Sequence, residues 1–147
     1  MNSTQPEVRI LRPEDRALVV EGAGDSYRYL ATGAQTNGTY FMLEALVPPG
    51  GGPSPHIQTR EEEGFYVLEG TLTFFTSEGT VRAGPGTFVH VPRDAIHGFK
   101  NQSDKPARVL IWFAPAGIER MFSAMARNPD RYLEIAHEHG VEFPDAT

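Results

Sequence analysis

Cysteine is absent from all 147 residues, which excludes both disulfides and thiolate metal ligands. Basic residues are in the minority. Thirteen Lys and Arg stand against 19 Asp and Glu, giving a net charge of −6 and a pI near 5.3. Nucleic acid and anionic membranes want a basic surface, so neither is expected as a partner. No apolar run reaches the roughly 20 residues needed to cross a bilayer. Residues 1–7 lack the basic and apolar regions of a signal peptide. There is no repeat at a solenoid period and no low-complexity linker. These absences leave one domain over residues 1–147, large enough to bury a substantial core and expected in a reducing cytoplasm.

The chain does contain many short, turn-bounded segments. Fifteen glycines and 12 prolines punctuate runs rich in aromatic and β-branched residues. Strands are expected at residues 8–12, 16–21, 27–32, 39–47, 63–69, 71–76, 80–82, 87–91 and 107–113. A turn is expected at residues 22–25, and Asn37-Gly38 is a tight-turn dipeptide. The last strand is apolar throughout and reads as buried on both faces. Even spacing of this kind favours an antiparallel sandwich or barrel over about residues 8–114. The Pro/Gly run at 48–53 cannot pair as a central strand and reads as a corner. After Pro115 the period changes. Ile118, Met121, Phe122 and Met125 form one helical stripe, a second helix follows Asn128-Pro129-Asp130, and Gly140 ends it.

Chemistry concentrates between Gly50 and Gly70. His56 and Gln58, at i and i+2, point to one side of an extended strand. Glu63 joins them if residues 59–62 turn the chain back. Glu61 and Glu62 read as solvated turn carboxylates, with Glu62 able to replace Glu63 if the register slips by one. A second segment, residues 86–101, supplies His97. Imidazole, amide oxygen and carboxylate are all plausible donors to a divalent ion. His90 reads as a pocket candidate. His137 and His139, near the end of a helix, have no metal role. Phe41, Phe65, Phe74, Phe99 and Trp112 are core residues, some of which line whatever cavity the barrel encloses.

These two segments resemble the paired motifs of the cupin superfamily. The first, G-x5-H-x-H-x4-E-x6-G, maps without a gap onto Gly50, His56, Gln58, Glu63 and Gly70. The second, G-x5-P-x-G-x2-H-x3-N, maps onto Gly86, Pro92, Asp94, His97 and Asn101. Gln58 departs from the pattern by standing where a second histidine is usual, and Asp94 stands for a turn glycine. The resemblance implies an all-β, double-stranded β-helix (jelly-roll) barrel with C-terminal helices at about residues 115–140. It also implies a mononuclear metal site of His56, Gln58, Glu63 and His97. The amide offers a hard, neutral oxygen, which favours iron, manganese or zinc over nickel or copper. The looser likeness is to quercetin-dioxygenase-like cupins. It implies an oxygenase in which Glu63 is both ligand and base, acting with O2 on a phenolic or enolisable small molecule. A non-redox isomerase, cyclase or lyase is the alternative, and a metal-poor binding protein the third reading. Cupins commonly pair edge strands, so a homodimer is expected.

Overall fold

The computed structural model describes residues 5–22 and 24–145. Its strands are β1 (Val19–Gly22), β2 (Asp25–Ala31), β3 (Phe41–Val47), β4 (Ile57–Gln58), β5 (Glu62–Glu69) and β6 (Leu72–Thr76). They continue with β7 (Gly79–Ala83), β8 (Phe88–Val91), β9 (His97–Lys100), β10 (Ala107–Ala114) and β11 (Val141–Glu142). Three α-helices are described, α1 (Gly33–Thr36), α2 (Glu119–Arg127) and α3 (Tyr132–Glu138), with a 3-10 turn at Pro129–Arg131. A six-stranded sheet runs β1-β2-β3-β10-β5-β8, a three-stranded sheet runs β7-β6-β9, and β11 pairs with β4. The pairings are antiparallel throughout. The expected all-β barrel with C-terminal helices is what forms.

Period-two alternation explains how the barrel fills. In β10, Ala107, Val109, Ile111 and Phe113 are buried, whereas Arg108, Leu110 and Trp112 are half-buried on the outer face. The expectation of a strand buried on both faces is therefore corrected. Arg108 bridges Glu44 and Glu69 across neighbouring strands, a use of the outer face that a fully buried strand could not allow. Inside, Phe65 of β5 packs edge-on against Phe74 and Phe99, with centroids 5.1 and 5.6 Å apart. Those rings join the two larger sheets.

Outside, Trp112 stacks on Phe88 at 5.5 Å and lies across Gly64, where a Cβ would overlap the indole. Gly64 is thus a close-approach glycine. The tail helices turn the expected stripe inward, with Ile118 and Met121 buried and Phe122 against Tyr27, Phe41 and Phe113. No described helix is long and apolar enough to cross a membrane.

Some expectations fail. Residues 8–12 form no strand, and Val8 and Ile10 are exposed. The segment instead ends in a turn in which Asp15 accepts from the Arg12 amide, and no described sheet edge takes it as a partner. Asn37 and Gly38 do adopt the left-handed conformation, at φ 55° and 78°, but they terminate α1 instead of joining two strands directly. The strand expected at 16–21 begins only at Val19. Ala23, within the turn expected at 22–25, lies outside the described residues, as do residues 1–4.

The Pro/Gly corner is pinned from several sides. Gly50 N–H donates to Asn101 O at 2.7 Å, and Asn101 N–H donates back to Gly51 O at 3.0 Å. The buried Asn101 amide donates to Val47 O and Lys105 O. Fully buried Asp25 accepts from Gly52 N–H at 3.1 Å and from the Tyr27 hydroxyl at 3.3 Å. Burial pushes the Asp25 carboxyl from 3.8 to about 7, against those two hydrogen bonds and the Lys100 charge.

Two outcomes follow. The fold holds the Asp25 proton more tightly than the unfolded chain does, so stability is fully present below about pH 4 and is lost as pH rises through about 7. Urea unfolding should show wild type losing up to about 3 kcal/mol relative to Asp25→Asn between about pH 5 and pH 8. Equal changes in both proteins would refute the assignment. Separately, Gly64→Ala should cost about 1–3 kcal/mol by overpacking and shift the fluorescence of Trp112. An unaltered midpoint and spectrum would show that the indole moves aside freely.

Candidate metal centre

The site begins with backbone pairing. His56 N–H donates to His97 O at 2.8 Å, and His97 N–H donates to His56 O at 3.0 Å. This bridge brings the two glycine-flanked segments together and sets the imidazoles side by side at a tilt of 53°, with centroids 4.4 Å apart. Glu63, at the start of β5, reaches the same point because the chain reverses after β4. Asp94 helps close the second segment. It adopts φ 72°, the left-handed conformation anticipated for a turn glycine's replacement, and its N–H donates to Gln58 O at 2.8 Å.

His56, Glu63 and His97 are all buried, and one ligand atom of each lies within 4.8 Å of the others. His97 Nε2 stands 2.8 Å from Glu63 Oε1. Each ring turns Nδ1 to a backbone carbonyl, His56 to Ser54 O at 2.8 Å and His97 to Ala95 O at 3.0 Å. Those contacts make Nδ1 the donor and aim Nε2 inward, the arrangement that commonly orients a metal-ligating histidine. Burial and the neighbouring His97 lower the His56 pKa, against the opposing pull of Glu63. Burial also acts to lower that of His97, but the hydrogen bond and charge of Glu63 outweigh it and leave it raised.

Gln58 supplies the fit test. Its Oε1 lies 3.2 Å from His56 Nε2. With the His56 proton on Nδ1, two acceptors face each other across that gap. A cation between them relieves the conflict, so the donor set suits a divalent ion. His56, Glu63 and His97 would hold it, with the Gln58 oxygen beside them.

His56, Gln58 and Glu63 lie on the wall of a cavity of about 710 Å3. Phe65 and Phe99 line it as expected, with Tyr27, Leu43, Ile111 and Phe113. Other pocket candidates are displaced. Phe41 is fully buried between Tyr29 and Phe113, at 4.8 and 5.7 Å. Phe74 sits behind Phe65 and Phe99. Trp112 faces outward because it has the opposite parity to Ile111 and Phe113. His90 also faces outward, where its Nε2 pairs with exposed Glu62 at 2.9 Å; Glu62 therefore does not replace Glu63.

Three features escaped the sequence reading. Glu61 is no solvated turn residue: it is 5% exposed. The alternation Glu61, Glu63, Phe65, Val67 carries one step back past the strand boundary, and that parity was the available signal. The β11 strap was missed because two residues leave no periodicity to read. Pairing Val141 with Gln58, it sets the Phe143 ring 5.3 Å from His56, and the Gly140 carbonyl accepts from both the amide and the hydroxyl of Thr59. Asp25 was not singled out because only the folded chain encloses it.

The pKa directions define a measurement. In metal-free protein, side-chain NMR should find His97 titrating above the ordinary histidine value and His56 below it, and Zn2+ should abolish both titrations. Two ordinary titration curves would refute the buried coupling with Glu63.

Residues 43–113 match the family described as Cupin domain. Quercetin 2,3-dioxygenase of Bacillus subtilis (strain 168) is 30% identical over 77 residues, covering 52% of this chain but only 23% of the relative. Among solved structures, the polyketide cyclase RemF from Streptomyces resistomycificus is 26% identical with TM-score 0.62, over 74% of this chain and 80% of that one. An RmlC-like cupin from Shewanella frigidimarina, 17% identical, superposes with TM-score 0.65 over 77% of this chain and 96% of its own. The matched residues 43–113 include His56, Glu63 and His97, and the chain has the fold of the cupin superfamily.

Proposed function

We propose that this protein is a metal-dependent, small-molecule oxygenase of the quercetin-dioxygenase-like type, acting with O2 on a phenolic or enolisable substrate. The observation that carries the reading is the buried convergence of His56, Glu63 and His97, with His56 and Glu63 opening on a cavity walled largely by aromatic and aliphatic side chains. The likeness to quercetin 2,3-dioxygenase supports it over the matched part of that protein. When bound, iron or manganese would supply Lewis acidity toward a substrate oxygen and electron exchange with dioxygen.

The chain's own residues would do the rest. Glu63 accepts the proton of an acidic hydroxyl or α-carbon, being a carboxylate already oriented by its contact with His97. His56 and His97 are held by the carbonyls of Ser54 and Ala95, so they keep their orientation as that proton arrives. Phe65, Phe99, Ile111 and Phe113 give a flat substrate an apolar wall and exclude water. A cytoplasmic setting and a homodimer belong to the same proposal. The absence of cysteine supports the first. Exposed Leu46, Tyr66 and Phe88 on the large sheet support the second.

Gln58 favours one competing reading, non-redox Lewis-acid chemistry in a cyclase, isomerase or lyase. A neutral amide oxygen in place of imidazole suits zinc as well as iron, and the likeness to a polyketide cyclase points the same way.

Metal content of tag-free protein, measured beside Gln58→His and His97→Ala, separates these readings. Near-stoichiometric iron or manganese, with O2 uptake on a panel of flavonols and 1,3-diketones, is the expected result. His97→Ala should lose the metal. Zinc without O2 uptake would move the assignment to the Lewis-acid reading, and metal only in Gln58→His would overturn both.

A further inference from the structure

Two buried polar atoms lie next to the ligands without a hydrogen-bond partner among the described residues: Gln58 Nε2 and Glu61 Oε1. Their residues are 4% and 5% exposed, and an unpaired donor and an unpaired acceptor in such surroundings are costly. They are also neighbours. Burial pushes the Glu61 carboxyl up, and the Gln58 amide is the strongest influence pulling it back. Glu61 is absent from the cavity wall, which Gln58 lines. The Glu61 side chain is thus outside the cavity wall, while the amide oxygen faces His56 at 3.2 Å.

We infer that Glu61 is a positioning residue that draws the Gln58 amide nitrogen toward itself and so presents the amide oxygen to the metal site. An amide has two ends of nearly equal size and opposite hydrogen-bonding character. Beside a neutral His56 whose Nε2 is an acceptor, the isolated preference is for the NH2 end to turn inward and donate. Such a turn would place N–H groups where a cation belongs. A carboxylate beside the amide reverses the preference, because the NH2 end then has a charged acceptor and the oxygen is left to face inward. The Gln58 backbone is fixed independently by Asp94 N–H and by the strap at Val141, so rotation about the end of the side chain is the remaining freedom. Glu61 thus explains how a glutamine works at a position where the family pattern has histidine. The inference rests on the metal-site reading above for its purpose, although the amide's orientation is measurable without metal.

The test uses the full chain with Gln58→Ala, Glu61→Gln, Glu61→Leu and the double variant Gln58→Ala/Glu61→Leu. Glutamine at 61 keeps an oxygen acceptor and removes the charge; leucine removes both. In metal-free protein, NMR should find slowly exchanging Gln58 side-chain amide protons in wild type and Glu61→Gln, and fast exchange in Glu61→Leu. Co2+ and Zn2+ titrations should then show Glu61→Gln close to wild type and Glu61→Leu weakened by about 10- to 100-fold, the usual range for a partner behind a ligand. Gln58→Ala should be no weaker when Glu61→Leu is added.

A through-hydrogen-bond coupling between Gln58 Nε2 and His56 Nε2 in wild type would overturn the proposal, since the amide would then be turned the other way. Equal loss of affinity in Glu61→Gln and Glu61→Leu would also overturn it, by reducing Glu61 to a distant charge. Failure of Glu61→Leu to fold leaves the wild-type coupling and the Glu61→Gln exchange to decide. Wild type that binds neither metal yet keeps its protected amide would sink the metal reading and leave the positioning role standing.

Discussion

The two backbone hydrogen bonds between His56 and His97 are the constraint on which the site depends. They join segments some 40 residues apart in sequence and fix the distance between two imidazoles before any side chain is considered. Everything that supports the bridge is arranged to hold the corner before it and the turn after it. Asn101 and Asp25 tie the Pro/Gly corner to β3 and β2, and Asp94 ties the second turn to Gln58. Asn101 and Asp25 are buried and hydrogen-bonded, so each is costly to remove. That cost is the physical reason the site is rigid enough to be preorganised.

Rigidity of the frame contrasts with the electrostatics inside it. Glu63 raises the pKa of His97 against its burial, while burial and the neighbouring His97 lower that of His56. An inward lone pair is therefore more readily available at His56 than at His97. An amide in the set leaves the formal charge of the donors at that of Glu63 alone. The apolar cavity beside them strengthens each of these interactions, because little water competes. The β11 strap adds a wall from the opposite end of the chain, bringing Phe143 against His56, so the shape of the substrate space is shared between barrel and tail.

The two faces of the large sheet divide the labour. One parity in β5 and β10 carries the core and the ligand Glu63, and the other carries Trp112, Arg108 and Tyr66 toward the outside. His90 and Glu62 fall on the outer parity and pair there. The sequence reading placed His90 and Trp112 with the pocket because composition marks a residue as histidine or aromatic without saying which way it points. Parity relative to Glu63 and Phe65 would have removed both, and would have moved Glu61 inward.

The sequence by itself determined the strand-and-turn spacing, the glycines and Asp94 at left-handed turns, and the four polar residues brought to one place. Motif spacing of this kind is local information: it survives without knowledge of the fold because turns and period-two alternation act over a few residues. Tertiary structure decided what depends on enclosure. It made Asp25 a near-neutral acid, took residues 8–12 out of the sheet, and laid a two-residue strap over the ligands. It also buried the Glu61 carboxylate. Burial and pairing between distant strands are properties of the folded surface, and no window of sequence contains them.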